Sequence, residues 1–397
     1  MDIGPDSSAG HRLAAAARDE VDVFDRSANE RRLLALLQRS GALPGVEVAR
    51  RLKLSAQAVS VMMRNLEADG LIARDEAIRG KVGKPQTPFR LAAEGVYSVG
   101  LRIGRRSTDI VLVDFAGRVL GHGRRDYAYP EPGAIDHFAR TMTRDLTERL
   151  PSERRSRIAG IGIGAPFELW NWLDDTSAPK ARMDAWRAFS FEEAFSEWTD
   201  LDILVGNDAS LACQGEAMFG AARGLPDFGY FYVGSFIGGG VYLGGRLFTG
   251  ATGNAAAFGS LPVRDAAGAW GQLLEFASIH QLELALETGS AEQPLAITSD
   301  AQWEGIEDAL ARWIADTADQ VAHACMGVVA AFDVPVIVID GSFPGAVRDR
   351  LIAAVETELS GIDRRGTRLP DIVAGTLGSK ASALGAAYEP IIDRLLE

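Results

Sequence analysis

Gln57, Ser60 and Arg64 recur at helical spacing in a basic stretch of this 397-residue chain. Projected at ~100° per residue they share one face with Val61, while Val59, Met62, Met63 and Leu66 form the opposite, apolar stripe. An amide, a hydroxyl and a guanidinium on one helix face can hydrogen-bond base edges in a major groove. Gln57 and Ser60, near the helix start, are the candidates for base contact, Arg64 for a guanine or a phosphate, and Ser55 caps the helix beside them. Further on, Arg79, Lys81 and Lys84 alternate with Gly80 and Gly83. Glycines let that backbone approach closely, and the three cations suit phosphates or a narrow minor groove. Taken alone, the helix face has an ordinary solvated surface as its alternative reading.

The elements that must position these groups are legible around them. Leu33, Leu34, Leu36 and Leu37 predict a helix over Asn29–Gln38, and a second runs from Gly45 to Leu52. Lys53-Leu54-Ser55 makes a tight turn, and a third helix continues through Ala68 to a stop at Gly70. Leu71–Arg74 and Phe89–Leu91 read as paired strands with the cationic tip between them. Residues 27–92 are therefore expected to form a winged helix-turn-helix binding double-stranded operator DNA, the alternative being a winged module used for protein contacts.

Charge supports that division. The chain carries −13 overall, but residues 27–92 hold +6, residues 1–26 hold −3, and the remainder −16. A basic head on an acidic body is the layout of a DNA-binding module attached to a sensing or catalytic domain. Residues 1–26 lack periodicity and read as a mobile leader. No apolar run approaches the ~18 residues of a membrane span and no signal peptide is visible, so a cytoplasmic protein with no membrane partner is expected. Cys213 and Cys325 read as small buried apolar residues. His11, His122, His137, His280 and His323 lack metal-ligand spacing, so neither a metal nor a cofactor is expected.

From about Ala93 the pattern changes to strands. Tyr97–Ile103 and Thr108–Phe115 flank Gly104-Arg105-Arg106-Ser107, and a similar unit recurs as Tyr230–Val233, a turn over Gly234–Gly240, and Val241–Leu243. Two glycine-tipped hairpins opening two halves imply a duplicated architecture with a cleft between lobes. Ile158–Gly164 and Ile203–Val205 would aim their C-terminal ends into that cleft. Helical patterns at Ile135–Leu150, Ile306–Phe332 and Ala346–Leu359 make the class α/β.

Gly160–Pro166, Asn207-Asp208-Ala209, Gly234–Gly240, Gly250-Ala251-Thr252-Gly253-Asn254-Ala255 and Gly375-Thr376-Leu377-Gly378 follow in the order seen in the ROK family of repressors, open reading frames and sugar kinases. From about residue 27 onward the chain resembles a ROK-type transcriptional regulator. The resemblance implies a two-lobed actin-like, ribonuclease H-like body, a sugar site between the lobes, and assembly as a dimer or tetramer. It divides the body into residues 93–204, with a C-terminal helix over 378–397 returning to them, and residues 205–377.

The resemblance also assigns residues. Asn207 and Asp208 match the family's sugar-binding pair, whose aspartate is the general base of the kinases, and Glu275 matches a sugar-contacting glutamate; Asn254 falls in a matching motif. Several positions depart from the family. The phosphate loop Asp-x-Gly-Gly-Thr is Arg102-Ile103-Gly104-Arg105-Arg106 here, and an arginine cannot ligate Mg²⁺. Gly-Glu-x-Gly-His is Ala256-Ala257-Phe258-Gly259-Ser260, and Gly268–Gln272 lacks the cysteines of the family's zinc motif. In Phe167-Glu168-Leu169-Trp170-Asn171-Trp172 the indoles can stack on a sugar while Glu168 and Asn171 bind hydroxyls, or the tryptophans can pack the loop.

The expectation is a non-enzymatic repressor of carbohydrate uptake or catabolism genes whose body senses a sugar or sugar derivative. Two rivals stand beside it: a bifunctional sugar kinase with a DNA-binding head, and a regulator controlled by a protein partner.

Overall fold

The computed structural model describes residues 22–76, 87–171, 179–264, 268–286, 297 and 300–396. The head opens with helix α1, Ala28–Ser40, where Ser27 and Glu30 form a reciprocal capping box. A short strand β1, Leu43–Pro44, leads into helix α2, Gly45–Leu52, and Lys53 turns the chain in the left-handed conformation, φ 56°. Helix α3, Ala56–Ala68, starts at Ser55, whose hydroxyl accepts from Ala58 N–H at 3.1 Å. Strands β2, Ile72–Arg74, and β3, Pro88–Leu91, pair antiparallel, with β1 on the other edge of β3. Val59, Met63 and Leu66 are buried as expected and Met62 is half-buried.

The body contains two five-stranded sheets of the same design. The first uses β4, Tyr97–Ile103; β5, Ser107–Asp114; β6, Val119–Asp126; β7, Ile158–Ala165; and β8, Ile203–Asn207, in the order β6-β5-β4-β7-β8. The second uses β9, Phe228–Val233; β10, Ile237–Leu243; β11, Arg246–Leu247; β14, Val336–Gly341; and β15, Asp371–Ala374, in the order β11-β10-β9-β14-β15. In each, three antiparallel strands adjoin two parallel ones, which is the duplication the glycine-tipped hairpins imply. A small hairpin, β12 (Pro262–Arg264) with β13 (Trp270–Gln272), lies outside both sheets.

Helices cover the sheets: α4, Pro132–Thr147; α5, Lys180–Asp184; α6, Phe191–Ser196; α7, Asp208–Phe219; α8, Leu274–Ala277; α9, Ile279–Leu286; α10, Glu307–Phe332; α11, Gly345–Gly361; and α12, Ala381–Ile391. Helices α7 and α12 cross between the lobes at van der Waals distance. A Cβ on Gly385 would lie 1.7 Å from the Leu211 carbonyl oxygen, so only glycine admits that crossing. The second glycine motif is shorter as a turn than its sequence suggests: Gly238–Gly240 lie within β10. A Cβ on Gly240 would meet Cys213 Cβ at 2.5 Å, so these glycines bring β10 against α7 rather than form a loop. Cys213 and Cys325 are both buried.

Head and body share one apolar core. Leu33, Leu34 and Leu37 of α1 cluster with Ala217 and Met218 of α7 and with Leu395 and Leu396 at the C-terminus. Polar contacts fix the same interface: Arg157 donates to the carbonyls of Asp69 and Gly95 at 3.0 and 2.9 Å, and Arg223 to that of Gln38 at 2.9 Å. Residues 22–26, grouped with the mobile leader on sequence, belong to this packing instead. Val23 is buried, Arg26 pairs with Asp69 at 2.6 Å, and the Phe24 ring takes the Arg394 guanidinium at 3.8 Å. The apolar residues before Ser27 follow no helical or strand spacing, so periodicity does not reveal them. No helix among the described residues is long and apolar enough to cross a membrane.

Candidate functional site

On α3 the apolar stripe faces the head core, which leaves Gln57, Ser60, Val61 and Arg64 exposed together. Arg64 folds back onto its own helix, its Nε donating to the Ser60 carbonyl at 3.3 Å. Ser55 is exposed too, but its oxygen is engaged in the cap. Arg79, Lys81 and Lys84 lie outside the described residues, between the observed strands β2 and β3.

A cavity of about 510 Å³ opens between the two sheets. Asn207, Asp208, Glu275, Glu168, Asn171 and Asn254 all line it. The first two sit where β8 runs into α7. Asn207 Oδ1 accepts from Ala209 and Ser210 N–H at 3.0 and 3.1 Å, capping the helix and leaving Nδ2 as the side chain's donor. Burial pushes the Asp208 carboxyl up from the ordinary carboxylate range, and the neighbouring Arg102 guanidinium works against that rise. Glu275 accepts from Gln272 N–H at 3.1 Å, and Asn171 donates to Glu168.

Trp170 does not line the cavity. Its ring takes the Arg187 guanidinium at 5.3 Å and packs against the core of the first lobe. The aromatic that this segment does contribute is Phe167, 50% exposed, while Trp172 lies outside the described residues. Glu168 and Ala256, both on the cavity wall, hold φ of 51° and 58°, a left-handed conformation that costs a non-glycine residue energy and concentrates at binding sites. Tyr232 also lines it, bonded through its hydroxyl to Ser342 at 2.6 Å. Strand alternation with Tyr230 carried no hint of Tyr232's place at the cleft.

The arginines of the first hairpin have distinct surroundings. Arg102 Nη1 is 3.4 Å from Asp109 Oδ2. Arg105 is buried and reaches across to the second lobe, its Nη1 3.0 Å from His280 Nδ1 and 3.4 Å from Glu283 Oε2, with its guanidinium 5.3 Å from the Phe236 ring centre. Beyond them lies a second cavity of about 500 Å³, bounded by Arg102, Arg105, Ser235 and the Gly341–Ser342 and Thr376–Lys380 segments. Among the described residues its one carboxylate outside the Arg105 cluster, Asp340, accepts from Gly378 N–H at 2.7 Å. A Mg²⁺-nucleotide needs acidic ligands for its metal, and this wall of cations does not fit that donor set.

A winged helix-turn-helix head on a two-lobed actin-like body defines a class: DNA-binding regulators built on a sugar-kinase fold. The chain belongs to the ROK family, whose profile matches residues 98–389, and residues 26–73 match winged helix-turn-helix DNA-binding. It is 26% identical to the uncharacterized protein y4fQ of Sinorhizobium fredii over 92% of this chain and 91% of that one. It is 36% identical to the bifunctional enzyme NanE/NanK of Brucella melitensis over 47% of this chain but only 34% of the enzyme. With the DNA-binding transcriptional dual regulator NagC of Escherichia coli it shares 23% over 59% of this chain and 57% of NagC. In fold it resembles a ROK family transcriptional regulator homologous to the E. coli MLC protein, with a TM-score of 0.64 at 17% identity over 93% of this chain and 97% of that one. A ROK family glucokinase from Streptomyces griseus gives a TM-score of 0.57 at 23% identity over 73% of this chain and 98% of the glucokinase.

Proposed function

We propose that the protein is a transcriptional repressor of carbohydrate uptake or catabolism genes, acting as a homodimer or tetramer and controlled by a sugar or sugar derivative bound between the lobes. Residues 27–92 read the operator, through Gln57, Ser60 and Arg64 in the major groove and Arg79, Lys81 and Lys84 on the wing. Asn207, Asp208 and Glu275 hold ligand hydroxyls, with Glu168, Asn171 and Asn254 completing the wall. Ligand binding shifts the angle between lobes and so the spacing of paired heads, which requires the ligand to favour one DNA-binding geometry over the other.

The observation carrying the sensor reading is Arg102. By the family resemblance it matches the kinases' acidic phosphate-loop residue, and its half-buried guanidinium beside Asp109 cannot supply the carboxylate that metal-assisted phosphoryl transfer needs. Asp208 keeps the place of the kinase base, and the similarity to NanE/NanK favours the enzymatic rival. Thermal shift against sugars, sugar acids, polyols and sugar phosphates, each with and without ATP-Mg²⁺, separates the two. A ligand at about 100 times its Kd adds roughly 2.7 kcal/mol. Stabilisation by a sugar, no further gain from ATP-Mg²⁺ and no ADP release support the sensor. ADP release dependent on a sugar would establish the kinase.

A further inference from the structure

Val61 stands apart from the other apolar residues of α3. Val59, Met63 and Leu66 are buried in the head core and Met62 packs against it, but Val61 is 41% exposed and, among the described residues, belongs to no apolar cluster. A lone exposed valine is ordinary on a protein surface. This one lies in the middle of the face that carries Gln57 one turn before it, Ser60 beside it and Arg64 one turn after it, all of them exposed. A β-branched side chain is no asset at a solvated helix position, so neither packing nor helix propensity accounts for it there.

In a major groove the chemistry that suits such a residue is narrow. Of the four bases only thymine presents a methyl group there, on C5, while the other edges offer hydrogen-bond donors and acceptors. Valine methyls against the thymine methyl remove apolar surface from water on both sides. Against the polar edge of another base they displace water and return no hydrogen bond, which is unfavourable. Val46 is more exposed, at 70%, but it stands at the start of α2, the helix that in a helix-turn-helix crosses the phosphate backbone.

We propose that Val61 is a specificity-determining residue that reads the C5-methyl of one thymine in each operator half-site. The inference rests on the reading of α3 as the recognition helix. Val61 selects a base by shape and apolarity, between neighbours that select by hydrogen bonding.

The test uses the full chain and an operator it selects from a random DNA library. Each thymine of that operator is replaced in turn by deoxyuridine, which pairs alike and lacks only the methyl, and affinity is read by fluorescence anisotropy. Demethylation of one thymine in a half-site should weaken binding about fourfold, the contribution of one buried methyl group. Val61→Ala should weaken binding to the thymine operator by a similar factor, keep the wild-type melting temperature, and no longer distinguish thymine from deoxyuridine at that position. Tolerance of deoxyuridine at every thymine of a tightly bound operator, or undiminished sensitivity to it in Val61→Ala, would overturn the proposal while leaving operator reading by α3 intact. Failure to select any DNA sequence would overturn the DNA-binding reading itself, and the proposal with it.

Discussion

Gln38 of the head donates from Nε2 to the main-chain carbonyl of Met218 at 3.4 Å, and Met218 lies in the last turn of the helix that Asp208 begins. One rigid element about 18 Å long, at 1.5 Å per residue, therefore connects the first cavity to the head. Replacing Gln38 with Ala removes this bond while the Arg223 contact to the Gln38 carbonyl persists. Operator affinity without ligand should stay within about tenfold of wild type, since one such bond contributes ~0.5–1.5 kcal/mol. The ligand-induced change in that affinity should shrink, read by fluorescence anisotropy of labelled operator with and without ligand.

Asn207 has two duties that substitution can separate. Asn207→Ala loses the cap of α7, costing about 1 kcal/mol, and loses the amide donor, so both melting temperature and ligand stabilisation should fall. Asn207→Ser keeps a capping oxygen. It should retain most of the melting temperature while still losing ligand stabilisation, and equal losses in the two variants would mean the amide does no more than cap.

On α3, Gln57→Ala and Arg64→Ala each remove an exposed group that no core contact depends on. Each should weaken operator binding by ~1–3 kcal/mol if it reads a base, with unchanged melting temperature. A phosphate contact by Arg64 would show instead as a salt slope lower by about one charge. Operator titrations at several salt concentrations distinguish the two.

Asp340 gives the fold a pH dependence of known sign. Burial, with Glu216 close by, raises its carboxyl to about 6. A raised acid holds its proton more tightly in the folded chain, so its contribution is full below the unfolded value near 4 and is lost as pH rises through about 6. The groups around it are Glu216, which accepts from Thr376 and Leu377 N–H at 2.7 Å, and the hydroxyls of Tyr230 and Tyr232. Between pH 5 and 7 the wild-type melting temperature should fall by about 2 °C or more relative to Asp340→Asn, which cannot ionise. Parallel pH profiles would refute this assignment.

Much of the architecture was legible because local rules and tertiary demands agree. The boundaries of α2 and α3 follow from Gly45, Ser55 and Gly70, and the first lobe's hairpin from the β-branched runs on either side of Gly104. The glycines of β10 misled because a residue needed for helix-on-strand contact looks in sequence like a turn residue. Arg105 was visible as a departure from a motif, but its partners His280 and Glu283 lie some 175 residues away and carry no local signal. Trp170 has the right chemistry for a sugar platform, yet Arg187 and the first-lobe core claim it.

The central claim is that a ligand held at Asn207, Asp208 and Glu275 controls DNA binding. It is tested most directly by operator affinity, using a site selected from a random DNA library and the sugar that most stabilises the protein. The account predicts at least a fivefold change at saturating ligand, within the ~1–3 kcal/mol usual for coupled sites, and its disappearance in Asp208→Asn. Operator affinity unchanged by a saturating ligand that demonstrably stabilises the fold would contradict it.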